Sequence, residues 1–240
     1  MTTNRCPGQD KRFWKVKDII EIKCPYCGEE IEFWKDDPMR YCSDCGELIN
    51  NPAINLSCAK WCKMAAECLG DIPEEAIKAS PLIERLKALL HKKLNHQPDR
   101  IQNALNALLL AETMMMKEAG NPTLIKPAVL FVGALFKSEL VSEAEQNEII
   151  ERLGKKDIWE AMLDKVGIEG EDIKKVCDLI QTTLSGQQLE NNESIIVWDA
   201  MHLQRLILLE NEDQLPNAVA DVMTIIQTKS GKKMLKRFEK

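Results

Sequence analysis

The sequence predicts a mainly α protein with a small β module near its N-terminal end, and three observations predict it. Eight of the nine cysteines fall within residues 6–68, and only Cys177 lies outside. Composition shifts near residue 70, from Cys, Trp, Pro and Gly to Leu, Ala, Ile, Met, Lys and Glu. Beyond that point apolar residues recur at the three- and four-residue spacing of amphipathic helices. The shift divides the chain into a Cys-rich module over 1–70 and a helical domain over 71–240. With 240 residues and 45% hydrophobic content, a sizeable core can be buried.

Within the first part, Glu30-Ile31-Glu32-Phe33-Trp34 alternates like a short strand, Asp36-Asp37-Pro38 turns the chain, and Arg40-Tyr41 leads back. This reads as two cysteine knuckles joined by a hairpin. The helical part starts weakly around Pro73. Ser80-Pro81 reads as an N-cap followed by proline at the first helical position, opening a helix to Leu94. His96-Gln97-Pro98-Asp99 breaks it, and the next helix runs from Asp99 to Glu118. Gly120-Asn121-Pro122 ends that one, and an apolar helix follows from Thr123 to Lys137. Ser142 with Glu145 forms a capping box. Further helices are expected over 156–165, 170–184, 193–209, 214–228 and 230–239, with no internal repeat.

Charge and leader patterns exclude several classes. The net charge is -6, and residues 1–60 carry 9 Lys/Arg against 10 Asp/Glu, so the basic patch of a nucleic-acid binder is missing. No apolar run approaches the ~20 residues of a membrane span. The start, MTTNRCPGQDKRFW, has no apolar signal-peptide core. These features point to the cytoplasm, where clustered cysteines bind metal more often than they form disulfides.

Cys24-Pro25-Tyr26-Cys27-Gly28 and Cys42-Ser43-Asp44-Cys45-Gly46 are matching knuckles separated by 14 residues. Two intervening residues let both thiolates of a pair reach one ion, and the glycine after each pair suits the turn. Four thiolates in tetrahedral array favour zinc and leave no open coordination position, so the expected site is structural. The module therefore resembles a zinc ribbon, centred on residues 21–50; a rubredoxin-like iron site uses similar knuckles and is the competing reading. Cys58, Cys62 and Cys68, with Cys6 upstream, form a second set. Cys58 and Cys62 share a helix face. This set suits a second zinc, an iron–sulfur cluster, or plain burial in an amphipathic helix.

Residues 81–210 resemble an HD-domain phosphohydrolase in the order and spacing of their helices. Asp99-Arg100-Ile101-Gln102-Asn103 resembles the early helix in which a metal-binding histidine follows the arginine by three positions; here Asn103 stands there. Ile125-Lys126-Pro127-Ala128-Val129-Leu130-Phe131-Val132-Gly133 resembles the helix that ends in the His-Asp pair; here the pair is Val132-Gly133. The segment Leu179 to Ser185, where some members carry further histidines, has none. Ile196-Val197-Trp198-Asp199-Ala200 resembles the last motif and keeps Asp199. The resemblance implies an all-helical HD-like domain with a degenerate, vestigial site, because that chemistry needs His and Asp ligands around activating metal ions.

The expected function is a non-catalytic metal-binding regulatory protein that engages a protein or a small phosphorylated ligand. Two alternatives remain, a divergent phosphohydrolase with a rebuilt His96–Asp199–His202 site and an iron–sulfur redox sensor. Met114-Met115-Met116 is expected to pack, Trp61, Trp159 and Trp198 to anchor cores, and the basic tail Lys229 to Lys240 to be a solvated helix end open to an acidic partner.

Overall fold

The two knuckles impose the same local structure twice. In the computed structural model, β1 (Ile19–Lys23) pairs antiparallel with β2 (Glu30–Trp34), and β3 (Met39–Tyr41) pairs antiparallel with β4 (Leu48–Asn50). The registers place Lys23 opposite Glu30 and Tyr41 opposite Leu48, so each knuckle is the loop of its own hairpin. This corrects the expected single hairpin between the knuckles: β2 and β3 do not pair. The alternation in Ile19-Ile20-Glu21-Ile22-Lys23 was the available signal for β1. Asn51 fixes the two hairpins to one another, donating from Nδ2 to the Trp34 carbonyl at 3.2 Å and the Asp37 carbonyl at 2.9 Å. Ile31, Phe33 and Ile49 are buried and join the core of the helical body.

The structure describes residues 19–34, 37–52, 74–94, 97–136, 142–187 and 190–239, with backbone alone for 74–81. Nine α-helices lie among them: α1 (Glu74–Lys93), α2 (Pro98–Met115), α3 (Pro122–Leu135), α4 (Glu143–Leu153), α5 (Lys156–Val166), α6 (Gly170–Ser185), α7 (Asn192–Leu208), α8 (Leu215–Ile225) and α9 (Lys229–Leu235). A 3-10 turn, Lys236–Phe238, follows α9. The first helix begins well before Ser80-Pro81. Glu74, Glu75 and Ala76 are good helix formers, and the described part of the helix already includes them.

The centre of the body is α3, which is buried from Pro127 through Leu135 and touches α1, α2, α4, α6 and α7. A helix apolar on all sides belongs inside. At its C-terminal end, the Leu135 and Phe136 carbonyls are taken by side chains from other helices. Arg100 donates to the Phe136 carbonyl and, at 2.8 Å, to Gln146 Oε1; Gln146 Nε2 in turn donates to the Leu135 carbonyl at 2.9 Å. A guanidinium at a helix C-terminus also complements the dipole. The Ser142–Glu145 capping box is present, and Asn191 with Ser194 forms a second one that opens α7. Met114 is fully buried, and Trp159 is buried with its ring 6.4 Å from that of Phe131.

Close packing of α3 on α2 depends on Gly133. A Cβ there would lie 2.8 Å from the Ala104 Cα and 3.1 Å from the Ala107 Cβ. Helix propensity alone favours Gly→Ala by about 1 kcal/mol, whereas forced separation of packed helices costs about 1–3 kcal/mol. Packing should win: Gly133→Ala is expected to lower the urea midpoint, and an unchanged or raised midpoint would show that the helices part easily.

Candidate metal centre

Residues 24–29 and 42–47 have the same hydrogen bonding. The Cys24 amide donates to the Glu29 carbonyl at 2.7 Å and the Cys42 amide to the Glu47 carbonyl at 2.8 Å. The Gly28 amide returns to the Cys24 carbonyl at 2.9 Å, and the Gly46 amide to the Cys42 carbonyl at 3.0 Å. Gly28 and Gly46 take φ of 87° and 70°, the left-handed region that a Cβ disfavours. These turns aim amide hydrogens at sulfur: Cys24 receives them from Tyr26 and Cys27, and Cys42 from Cys45 and Asp44.

The Sγ atoms of Cys24, Cys27, Cys42 and Cys45 all lie within 4.8 Å of one another. The cross-knuckle pairs are at 3.6 Å for Cys24–Cys45 and 3.5 Å for Cys27–Cys42, and all four are free thiols. A disulfide needs about 2.05 Å. A tetrahedron with metal–sulfur bonds of about 2.3 Å has edges of about 3.8 Å. The spacing therefore fits four thiolates on one metal ion. Burial pushes the Cys24 thiol up to about 11 and also raises Cys27; at Cys42 burial works in the same direction, but hydrogen bonds from the Cys45 and Asp44 amides and the Cys27 and Cys45 thiols together outweigh it and the pKa falls. Clustered thiolates need an opposing charge, which a bound cation would supply. Among the described residues this is the one group of three or more His, Cys, Asp or Glu ligand atoms so closely gathered.

The cluster is also tied to the helical body, through Glu47, Lys117 and Tyr26, which no motif marks, and through two residues of the basic tail. Glu47, the last residue of the second knuckle, receives both Lys117 Nζ, from just beyond α2, and Lys233 Nζ, from α9. Those hydrogen bonds hold its carboxyl below the usual range. Tyr26, between the first two cysteines, is buried with the same two ammonium groups 5.3 Å and 5.6 Å from its ring centroid. Arg237 donates to the Cys24 carbonyl at 3.1 Å and to Glu210 Oε1 at 2.7 Å. The tail is therefore not simply a solvated helix end: Lys233 and Arg237 are engaged within the chain.

Cys6, Cys58, Cys62, Cys68, Trp61 and His96 lie outside the described residues. The four HD-like positions are placed, and all are buried. Asn103 accepts from Gln204 Nε2 at 3.4 Å, Val132 lies in the core, and Gly133 provides the α2–α3 contact. Asp199, fully buried, accepts from the Gln227 amide at 3.2 Å and the Thr228 amide at 2.8 Å, which fixes the approach to α9. Burial raises its pKa against those hydrogen bonds. A groove of about 600 Å³, lined in part by Phe136, Gln146, Ile150 and Leu184, has none of the four in its wall. No helix of the described residues is long and apolar enough to cross a membrane.

Comparison of the chain with protein-family models, curated proteins and solved structures returns no match. Four cysteines able to hold a metal ion, on a two-hairpin β module carried by a helical body, are what fold and site define.

His202 carries a pH-dependent consequence. Its ring lies 4.4 Å from that of Trp198, and both ring nitrogens are buried with no hydrogen-bond partner among the described residues. Burial, with the Arg205 charge adding to it, lowers its pKa from 6.5 to about 4. The unfolded chain thus takes up this proton first, so the stability tied to neutral His202 is complete above pH 6.5 and is lost as pH falls toward 4. The loss should reach about 3 kcal/mol, and His202→Phe should flatten urea-unfolding free energy across that window. Parallel pH profiles for the two proteins would count against it.

Proposed function

We propose that this chain is a non-catalytic binding or regulatory protein in which Cys24, Cys27, Cys42 and Cys45 hold one structural zinc ion. The mutual spacing of the four sulfurs carries the reading. Four cysteine ligands complete a tetrahedral zinc and leave no position for water or substrate, so the ion organises the fold and activates nothing. Two short hairpins are marginal by themselves, and metal binding supplies the missing folding free energy.

The helical body is read as an HD-like scaffold without its chemistry. That reading rests on the residue pattern alone. Asn103 is a weak ligand, while Val132 and Gly133 offer no ligand side chain. The carboxylate of Asp199 is already occupied by backbone amides. With these positions packed inside, a partner protein or small phosphorylated ligand would be met elsewhere on the surface.

Metal analysis and a visible spectrum of the protein purified without oxygen test both halves. Zinc without colour is expected, and Cys24→Ser with Cys42→Ser should remove one equivalent. Iron bound through these four thiols would overturn the zinc assignment. Hydrolysis of a phosphate ester with Mn²⁺ or Mg²⁺, abolished by Asp199→Ala, would overturn the non-catalytic assignment.

A further inference from the structure

We propose that the C-terminal segment Gln227–Glu239 is a metal-gated strap: the occupied cysteine site holds its distal half against the ribbon, and loss of the metal releases that half while the proximal half stays anchored. The inference rests on the metal-binding reading of Cys24, Cys27, Cys42 and Cys45.

The strap has two sets of anchors with different dependences. Proximally, the acceptors of its backbone amides belong to the helical body. Asp199 accepts the Gln227 and Thr228 amides, and Glu118 Oε1 accepts the Ser230 amide at 2.9 Å. Thr228 Oγ1 accepts the Gly231 amide at 2.8 Å, and Met234 is fully buried. A Cβ at Gly231 would lie 2.8 Å from Asp199 Oδ2, so glycine there allows the chain to sit on the carboxylate. The Ser230 side chain also meets Tyr26 of the first knuckle, so the proximal half touches the ribbon at one point, while its backbone amides are held by Asp199 and Glu118 of the body.

Distally, the partners are the knuckles. Lys233 reaches Glu47 beside the second pair, and Arg237 reaches the Cys24 carbonyl in the first. The Arg237 side chain is 4% exposed, and its Nε would lie 3.4 Å from a Cβ at Gly28. The guanidinium is thus laid against a turn whose backbone exists only while the knuckle is folded. Knuckle geometry in so small a sheet depends on the ion. Removing the ion takes the Cys24 carbonyl and the Glu47 carboxylate away from the strap, leaving Arg237 with Glu210 and setting Lys233 free. Coupling of this kind is reciprocal, so the strap must also tighten metal binding.

The test is hydrogen–deuterium exchange on the full-length zinc-loaded chain against Cys45→Ser, which removes an exposed thiolate. Exchange should rise over 24–50 and over 235–239 together, and stay slow over 227–231. In parallel, zinc affinity of Arg237→Ala and Lys233→Ala is measured by chelator competition. Each variant should bind at least about fivefold more weakly than the parent with unchanged helix content. Wild type that takes up no zinc would remove the site reading and the strap with it. Wild type that binds zinc normally, with exchange over 235–239 indifferent to Cys45→Ser and affinity indifferent to both variants, would overturn the strap alone.

Discussion

The carboxylate of Glu47 holds two lysines from different parts of the helical body at once, and the orientation of the β module depends on it. Its backbone closes the second knuckle through the Cys42 amide, while its side chain gathers Lys117 and Lys233. One residue thereby belongs to both the sulfur cluster and the interface. Exposed ion pairs contribute little, and both lysines are about half exposed, so the weight of this contact rests on the Glu47 side, which is 14% exposed and shared by two cations. Glu29, the equivalent residue of the first knuckle, is exposed. There the interface is made by Tyr26 and by Arg237 on the Cys24 carbonyl. Two knuckles of identical backbone are thus attached by different side chains.

Similar logic governs the body. Buried polar groups there satisfy backbone ends: Arg100 and Gln146 take the last carbonyls of α3, and Asp199 takes the amides leading to α9. Hydrogen bonds offset part of the cost of burying these groups, although burial still disfavours the charged forms of Arg100 and Asp199. Asp199 is the instructive case. Its carboxylate, fully buried in α7, accepts the Gln227 and Thr228 amides and so fixes the C-terminal segment.

Much of this was legible from residue spacing. The four clustered cysteines, their glycine turns, the Ser142 cap and the apolar α3 all follow from local chemistry that neighbouring residues decide. The hairpin pairing did not, because strand partners depend on which loop a knuckle closes, and β1 lay upstream of the segment read as strand. Ser80-Pro81 misled because a cap and a proline inside a longer helix have the same local sequence. The roles of Glu47, Arg100 and Arg237 were illegible for a different reason. Their partners lie 27 to 213 residues away, and charge at a surface-looking position has no local signature.

Metal held in the four-cysteine site should stabilise the helical body as well as the ribbon. Helical circular dichroism during thermal unfolding of the full chain, metal-loaded and metal-stripped, measures this directly. Stripping is expected to lower the midpoint of the helical transition, because a ligand bound only to the folded state stabilises whatever unfolds with its site. Superimposable helical transitions would contradict it.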